Sequence, residues 1–268
     1  MTASALFEGG GSLWTPTDLA SGPWDPAHCH GGPPAALLAR AVECHHDHSE
    51  EGIEWQVARM TIELLRPIHV GRTLSVESRT ERPGRRVSLV EARLLDGDTE
   101  VAAVRALRVR ERRDDFPDSV VPSPSITVPP ELADPQVADF TSEATSYVRD
   151  ACEFRFASGG WNTLGPSSVW IRLTVPLVAD EAVSPLQRVA AAADFGNGVS
   201  ADVDFSQWLY INPDLTIHLA RPLRGEWVGL QARSHLGGTG TGLAHSALHD
   251  TDGTIGMSLQ SLLVEPRG

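Results

Sequence analysis

The sequence predicts an α+β protein made of two copies of one unit, in which a helix precedes four antiparallel strands. Three observations lead to this prediction. Strand-like runs recur in the two halves of the chain, apolar and polar residues alternate within those runs, and one clear helical pattern precedes them in each half. Alternation with a period of two is typical of strands with one covered face. A helix laid across such a sheet gives the α+β class.

The repeat is clearest in the strand-like runs. Thr61 and Thr216, and likewise Gly97 and Gly253, are separated by nearly the same number of residues. Chance similarity drifts in register over several strands, so this constancy indicates a duplication. Asp-Gly precedes the last run of both copies and is typical of a hairpin. The predicted strands are 60–67, 74–79, 87–95 and 101–109 in the first copy, and 215–222, 227–234, 242–249 and 255–264 in the second.

Helix signals and a proline-rich segment divide the chain. Residues 33–43 begin with two prolines and continue with strong helix formers, and residues 185–193 form a shorter apolar helix pattern. Residues 114–135 are rich in proline without a hydrophobic period, which is typical of a linker. We therefore predict a first unit at 1–113, a linker at 114–145 and a second unit at 146–268.

Charge and composition exclude several classes of function. The formal net charge is -13, which disfavours binding to nucleic acid or to an anionic membrane. All 22 basic residues are arginine, so mechanisms that need a lysine amine are excluded. No apolar run is long enough to span a membrane, and no leader-like pattern opens the chain. We expect a soluble, cytoplasmic protein.

Cysteine and histidine spacing gives no metal motif. Cys29, Cys44 and Cys152 are odd in number and lack CxxC spacing, which suits a reducing cytoplasm. A cluster of histidine and acidic residues follows the first helix. Its spacing matches no known metal-binding motif of a helix, so a solvated helix end is favoured over a metal site. No cofactor motif is found either, and we expect neither metal nor cofactor. The cluster consists of His45, His46, Asp47, His48 and Glu50.

Several motifs resemble those of one family, the type II acyl-CoA thioesterase (thioesterase-like) superfamily. The resemblance implies a double hotdog fold, in which two tandem hotdog repeats form a continuous antiparallel sheet around two central helices. It also implies hydrolysis of an acyl-CoA, or another acyl-thioester, to a free acid and a thiol. The motifs are WNTLGP (161–166), SVWIRL (168–173), ADFGNG (193–198), NPDLT (212–216), RP (221–222), GEW (225–227) and QSLL (260–263).

The same resemblance implies candidate catalytic residues in the second half. In the family, an Asp at the start of the second helix, a Ser or Thr at the start of the next strand and a Gln on the last strand hold the attacking water. Asp194 and Gln260 match two of these positions. The third falls on Asn212, and Thr216 is the nearest hydroxyl. An Asn can still hold a water or a carboxylate, since it both donates and accepts.

Each catalytic candidate also has a structural interpretation. Asp194 follows an apolar helix, a setting that desolvates a carboxylate and raises its pKa, as a general base requires. Alternatively, Asp194 is only the N-cap of the next turn. Gln260 either holds the water or the Asp194 carboxylate, or is an ordinary amide on an edge strand.

Candidate substrate-binding residues come from both halves. His30, Gly31 and Gly32 directly precede the first helix, where backbone amides can polarise a thioester carbonyl. The alternative is that this half has lost its site and His30 is a turn or pocket residue. Gly196 follows Asp194 in the second copy and is a further candidate.

Arginines could supply the local positive charge that an acidic protein needs for CoA. Arg66 and Arg221 precede proline at equivalent places of the two copies, and conservation of a sheet-edge geometry explains them equally well. The other candidates are Arg224 and Arg233. Trp161, Trp170, Trp208 and Trp227 are expected first in the core and second in a pocket wall.

Three functions remain open at this stage. The first is a thioesterase acting through Asp194 and Gln260. The second is a hydratase or dehydratase on enoyl-thioesters, which needs a His and Asp pair on the hotdog helix, and no such pair accompanies Asp194. The third is a non-catalytic acyl-thioester binding protein. A homodimer or higher homo-oligomer is expected from the resemblance alone.

Overall fold

Each half of the chain contributes a helix and a set of long strands. The computed structural model describes residues 4–47, 50–112, 126–139 and 144–267. The first half has β1 (Phe7–Gly10), β2 (Leu13–Pro16), α1 (Gly32–Glu43), β3 (Trp55–Leu64), β4 (Leu74–Arg82), β5 (Val87–Asp96) and β6 (Thr99–Arg110). The second has β7 (Asp134–Gln136), β8 (Cys152–Ser158), β9 (Ser167–Leu173), α2 (Pro185–Ala193), α3 (Gly196–Val199), β10 (Trp208–Ile211), β11 (Asp214–Leu219), β12 (Val228–Leu236), β13 (Thr241–Asp250) and β14 (Gly253–Pro266).

The described strands form one 14-stranded sheet. Its order is β1-β2-β4-β5-β6-β3-β11-β14-β13-β12-β9-β8-β7, and β10 pairs with β14 beside that path. All pairs between these strands are antiparallel. The eight strands predicted from the repeat correspond to β3–β6 and β11–β14, so the duplication in sequence is also a duplication in structure.

The two copies meet at the pair β3–β11. Thr61 lies opposite Thr216, with Arg59 opposite His218 and Glu63 opposite Asp214. The residues at the centre are the same two threonines that fix the sequence repeat. The junction therefore has a local two-fold relation, and a single sheet continues from one copy into the other.

Helix α1 is buried on nearly every side. Prolines occupy its first turn, where their missing N–H groups cost nothing, and Ala and Leu follow. It packs on β4, β5 and β6 and lies against α2. Arg40, in the last turn of α1, forms an ion pair with Glu181, and its Nε donates to Oε2 at 2.8 Å.

Helix α2 begins with a capping box and packs closely on α1. The Ser184 hydroxyl accepts from the Gln187 backbone at 3.1 Å, and the Gln187 side chain accepts from the Ser184 backbone. A Cβ atom on Gly32 would lie 2.5 Å from the Ala191 carbonyl oxygen. The helices approach this closely because Gly32 has no side chain.

The predicted linker is described over 126–139 and 144–145. Within it, Asp134–Gln136 forms β7 and pairs with β8. The Trp170 indole donates to the Val128 carbonyl at 2.8 Å, so this segment lies along the second half. The boundaries at 113 and 146 stay predictions.

Candidate active site

Asp194 lies at the break between α2 and α3. It is the C-cap of α2, and Phe195 is the N-cap of α3, so the interpretation of Asp194 as an N-cap is wrong. The predicted helix at 185–193 ends directly before Asp194, and α3 begins at Gly196. The break turns the carboxylate away from the helix axis and toward the start of α1 in the other copy.

The Asp194 carboxylate is only 4% exposed and is held by both halves of the chain. The His30 Nδ1 atom lies 2.9 Å from Oδ2, and the Asn212 amide donates to Oδ1 at 2.8 Å. A Cβ atom on Gly31 would lie 2.6 Å from Oδ2. Gly31 therefore lets the carboxylate reach the positive N-terminal end of α1.

The pKa of Asp194 is lower than its ordinary value of 3.8, which contradicts the predicted rise. Burial raises the pKa, as the sequence argument expected. However, the charge of His30, its hydrogen bond, and the hydrogen bonds from Asn212 and the Gly32 amide together outweigh the effect of burial. His30 is distant from Asp194 in the chain, so the local sequence around Asp194 does not indicate this partner. Asp194 is consequently ionised at neutral pH.

The lowered pKa of Asp194 makes a prediction about acid stability. A carboxyl whose pKa falls on folding adds stability above its unfolded pKa of about 3.9, and loses it as pH falls through the folded pKa. We expect the free energy of unfolding of wild type, relative to that of Asp194→Asn, to fall as pH drops through the unfolded and then the folded pKa of the Asp194 carboxyl. Urea unfolding at a series of pH values measures it, and a pH-independent difference would contradict the prediction.

His30 is fixed by packing as well as by Asp194. Its ring lies 4.5 Å from the Phe195 ring and 5.1 Å from the Tyr147 ring, and its side chain is 11% exposed. Tyr147 is itself buried and donates to the Ala191 carbonyl at 2.9 Å. A His–Asp pair therefore exists at this site, contrary to the sequence reasoning, because the two residues come from different copies.

Gln260 holds the backbone of Asp194 by a hydrogen bond. It is 1% exposed, and its amide donates to the Asp194 backbone carbonyl at 3.1 Å. Its oxygen accepts from the Asn197 backbone at 3.0 Å. A Cβ atom on Gly196 would lie 2.6 Å from that oxygen. Gln260 thus fixes the backbone on both sides of the α2–α3 break, and Gly196 makes room for it.

A cavity of about 1070 Å³ opens beside these residues. Asp194, His30, Gly31 and Asn212 line it, whereas Gln260 does not. Its other walls are mainly apolar and come from both copies, including the loop that precedes α1 and the segment between α3 and β10. A large apolar cavity with a few converging polar groups is the usual form of a small-molecule site.

The sequence matches the acyl-CoA thioesterase N-terminal domain over residues 20–109 and the acyl-CoA thioesterase C-terminal domain over residues 121–264. The chain belongs to the acyl-CoA thioesterase family. A search of curated protein sequences found no match.

Solved structures with the same fold cover almost the whole chain. A candidate thioesterase from Novosphingobium aromaticivorans DSM 12444 is 18% identical, with a TM-score of 0.74 and coverage of 97% of this chain and 99% of the other. A conserved protein with a hot dog fold from Alicyclobacillus acidocaldarius is 15% identical, with a TM-score of 0.72 and coverage of 100% and 97%. The acyl-CoA thioesterase II TesB2 from Mycobacterium marinum is 14% identical, with a TM-score of 0.65 and coverage of 98% and 96%. The predicted double hotdog fold is confirmed.

Two of the residues predicted for the site do not contact it. Thr216 lies between Leu215 and Ile217, which are buried toward the helices, so its side chain occupies the opposite face of the sheet. Arg221 is paired with Asp250, its Nη2 donating to Oδ1 at 2.6 Å. Thr216 was a candidate only as the hydroxyl nearest to Asn212, and Arg221 was a candidate from its place in the repeat. Neither position specifies the face or the partner of the side chain.

The remaining arginines and tryptophans have different environments. Arg224 is 73% exposed and pairs with Asp252, away from the cavity, and Arg233 is an exposed residue of β12. Arg66 lines the cavity. Among the tryptophans, only Trp161 of the four candidates lines the cavity.

Sequence reasoning missed an aromatic wall of the cavity. The Trp24 ring lies 4.6 Å from the Phe205 ring and 5.1 Å from the Tyr210 ring. The Arg267 guanidinium lies over Trp24 and Phe205, at 4.9 and 4.3 Å from their centroids. Isolated aromatic residues in turn-rich segments gave no signal, because their meeting depends on the two copies being joined.

The acidic and histidine cluster after α1 has other contacts. The His45 ring nitrogens lie 2.9 Å from Ser78 and Thr80, and Glu50 pairs with Arg108. His48 lies outside the described residues. Among the residues that are described, no group of three or more His, Cys, Asp or Glu could hold a metal ion. Within all the described ranges of the chain, no helix is long and apolar enough to cross a membrane.

Proposed function

We propose that this chain hydrolyses acyl-CoA thioesters by direct attack of a water molecule held at Asp194. The observation that carries the proposal is an ionised, buried carboxylate on the wall of the large cavity. A thioester is already activated, so a positioned water, a proton acceptor and a donor to the oxyanion are sufficient. The membership of the thioesterase family supports the same reaction.

Each step has a candidate group. The Asp194 carboxylate takes a proton from the water as its oxygen attacks the thioester carbonyl carbon. The resulting tetrahedral oxyanion collapses, the C–S bond breaks, and the leaving thiolate takes up the proton from Asp194, which regenerates the carboxylate. His30 positions the carboxylate from one side and Asn212 from the other.

The start of α1 is the candidate donor to the oxyanion. Pro33 and Pro34 have no N–H groups, so Gly31 and Gly32 carry the amides available at this helix end. The Gly32 amide already donates to the Asp194 carboxylate. We therefore assign the thioester carbonyl to the Gly31 amide, which lines the cavity.

A panel of acyl-CoA substrates of increasing chain length, assayed by free-thiol detection, tests the proposal. Turnover of at least one substrate is expected, and it should be lost in Asp194→Asn. Saturable binding without thiol release for every chain length would favour the non-catalytic binding protein instead.

The His30–Asp194 pair favours a second candidate, hydration or dehydration of enoyl-thioesters. A His and a carboxylate at 2.9 Å can exchange a proton with a substrate carbon and oxygen. Loss of the enoyl absorbance of a short 2-enoyl-CoA, without thiol release, would identify this reaction. Thiol release without change in the enoyl group would exclude it.

A further inference from the structure

A side groove of about 360 Å³ opens next to the large cavity. The two share the residues His28, Arg66 and Pro67, so the groove continues directly from the space that Asp194 lines. The groove is also lined by His69 and Arg72. Two guanidinium groups, two imidazoles and the Asp96 carboxylate thus face one opening of a protein whose formal net charge is -13.

The duplication provides an internal comparison for Arg66. In the second copy, the equivalent Arg221 is neutralised by Asp250, the last residue of β13. In the first copy, the last residue of β5 is Asp96, which pairs instead with Arg72 at 2.5 Å. Arg66 therefore has no carboxylate partner among the described residues, although its counterpart does.

The Arg66 guanidinium is nevertheless held in position. Its Nη1 donates to the Glu100 backbone carbonyl at 2.6 Å, which leaves its other donors available at the groove. The neighbouring His28 and His69 rings are 4.7 Å apart. A fixed guanidinium with free donors is suited to a phosphate, which it can contact through two N–H groups.

We propose that the side groove binds the phosphate-bearing end of coenzyme A, with Arg66 as its principal contact. This proposal rests on the proposed function, since the acyl group and the thioester would occupy the large cavity beside it. It assigns CoA rather than a carrier protein as the thiol part of the substrate. The charge of Arg66 then selects substrate and does not act on the reacting atoms.

Paired substrates test the proposal. An acyl-CoA and the same acyl group on pantetheine, which lacks the phosphates of CoA, are compared in the full chain. We expect Arg66→Ala to raise KM for the acyl-CoA about tenfold with kcat unchanged, and to leave the pantetheine ester unaffected. Arg66→Lys should retain part of the discrimination, because it keeps the charge. Arg224→Ala removes an equal charge outside both openings and should change neither substrate.

Several results would overturn the proposal while leaving thioester hydrolysis intact. These are equal effects of Arg66→Ala on both substrates, wild-type hydrolysis of both with the same KM, or hydrolysis confined to carrier-protein thioesters. If no thioester is hydrolysed, the proposed function fails, and calorimetry with adenosine 3′,5′-bisphosphate decides the groove separately. Binding to wild type that weakens about tenfold in Arg66→Ala supports it, and equal or absent binding refutes it.

Discussion

Replacement of Asp194 by Asn is expected to lower kcat for acyl-CoA hydrolysis by about a hundredfold or more. The variant keeps the size of the side chain but removes the proton acceptor, and general bases contribute roughly 10² to 10⁴ in rate. It also removes the negative charge that His30 and the start of α1 face. Steady-state kinetics with free-thiol detection measure the effect, and substrate binding should change much less than turnover.

Asp204→Asn is the matched control for this variant. Asp204 is exposed at the wall of the same cavity, and its pKa is lowered by hydrogen bonds from the Ser206 hydroxyl and backbone rather than by the site. The same chemical change there should alter kcat by less than about twofold. Near-normal turnover in Asp194→Asn, with a folded protein, would exclude Asp194 as the base.

The second large effect is expected for Gly31→Ala. The backbone at Gly31 has φ -67° and ψ -24°, which alanine adopts without strain. The added Cβ would nevertheless lie 2.6 and 2.9 Å from the two Asp194 oxygens, so the carboxylate must move away from α1. A displacement of about 1 Å at a reacting group costs about a hundredfold in rate, and we expect a loss of kcat of that order.

Gly198→Ala separates this contact from the general effect of an added methyl group. Gly198 lines the same cavity, and a Cβ atom there meets nothing within 4 Å. It should retain most of the wild-type kcat. Crystal structures of both variants would show whether the Asp194 carboxylate has moved. Full activity in Gly31→Ala would mean that the close approach has no role in turnover.

The long strands and both principal helices could be predicted from the sequence because their signals are local. Alternation over about ten residues identifies β5 and β13, and the paired prolines identify the start of α1. The strands β1, β2 and β7 to β10 lie outside the repeated runs and were not predicted. Of these, β1, β2 and β10 have four residues each and are too short for a period to be recognised.

The site was only partly predictable because it joins the two copies. The resemblance identified Asp194, Gln260 and Asn212, which the structure brings together. The direction of the Asp194 pKa shift could not be derived, since it depends on His30 from the other copy. Thr216 was misjudged for a different reason, because the resemblance fixes its position along the strand but not the face it occupies.

The pairing of Thr61 with Thr216 has an evolutionary consequence. A one-unit ancestor using the same strand contact would associate with its own copy and would carry two identical sites, one at each helix start. Fusion frees the two sites to diverge. At the start of α1 the carboxylate lines an open cavity, whereas at the start of α2 Glu43 accepts hydrogen bonds from Ser184 and Gln187. The contact at the start of α2 therefore joins the two helices, and it supports the start of α1 where the cavity opens.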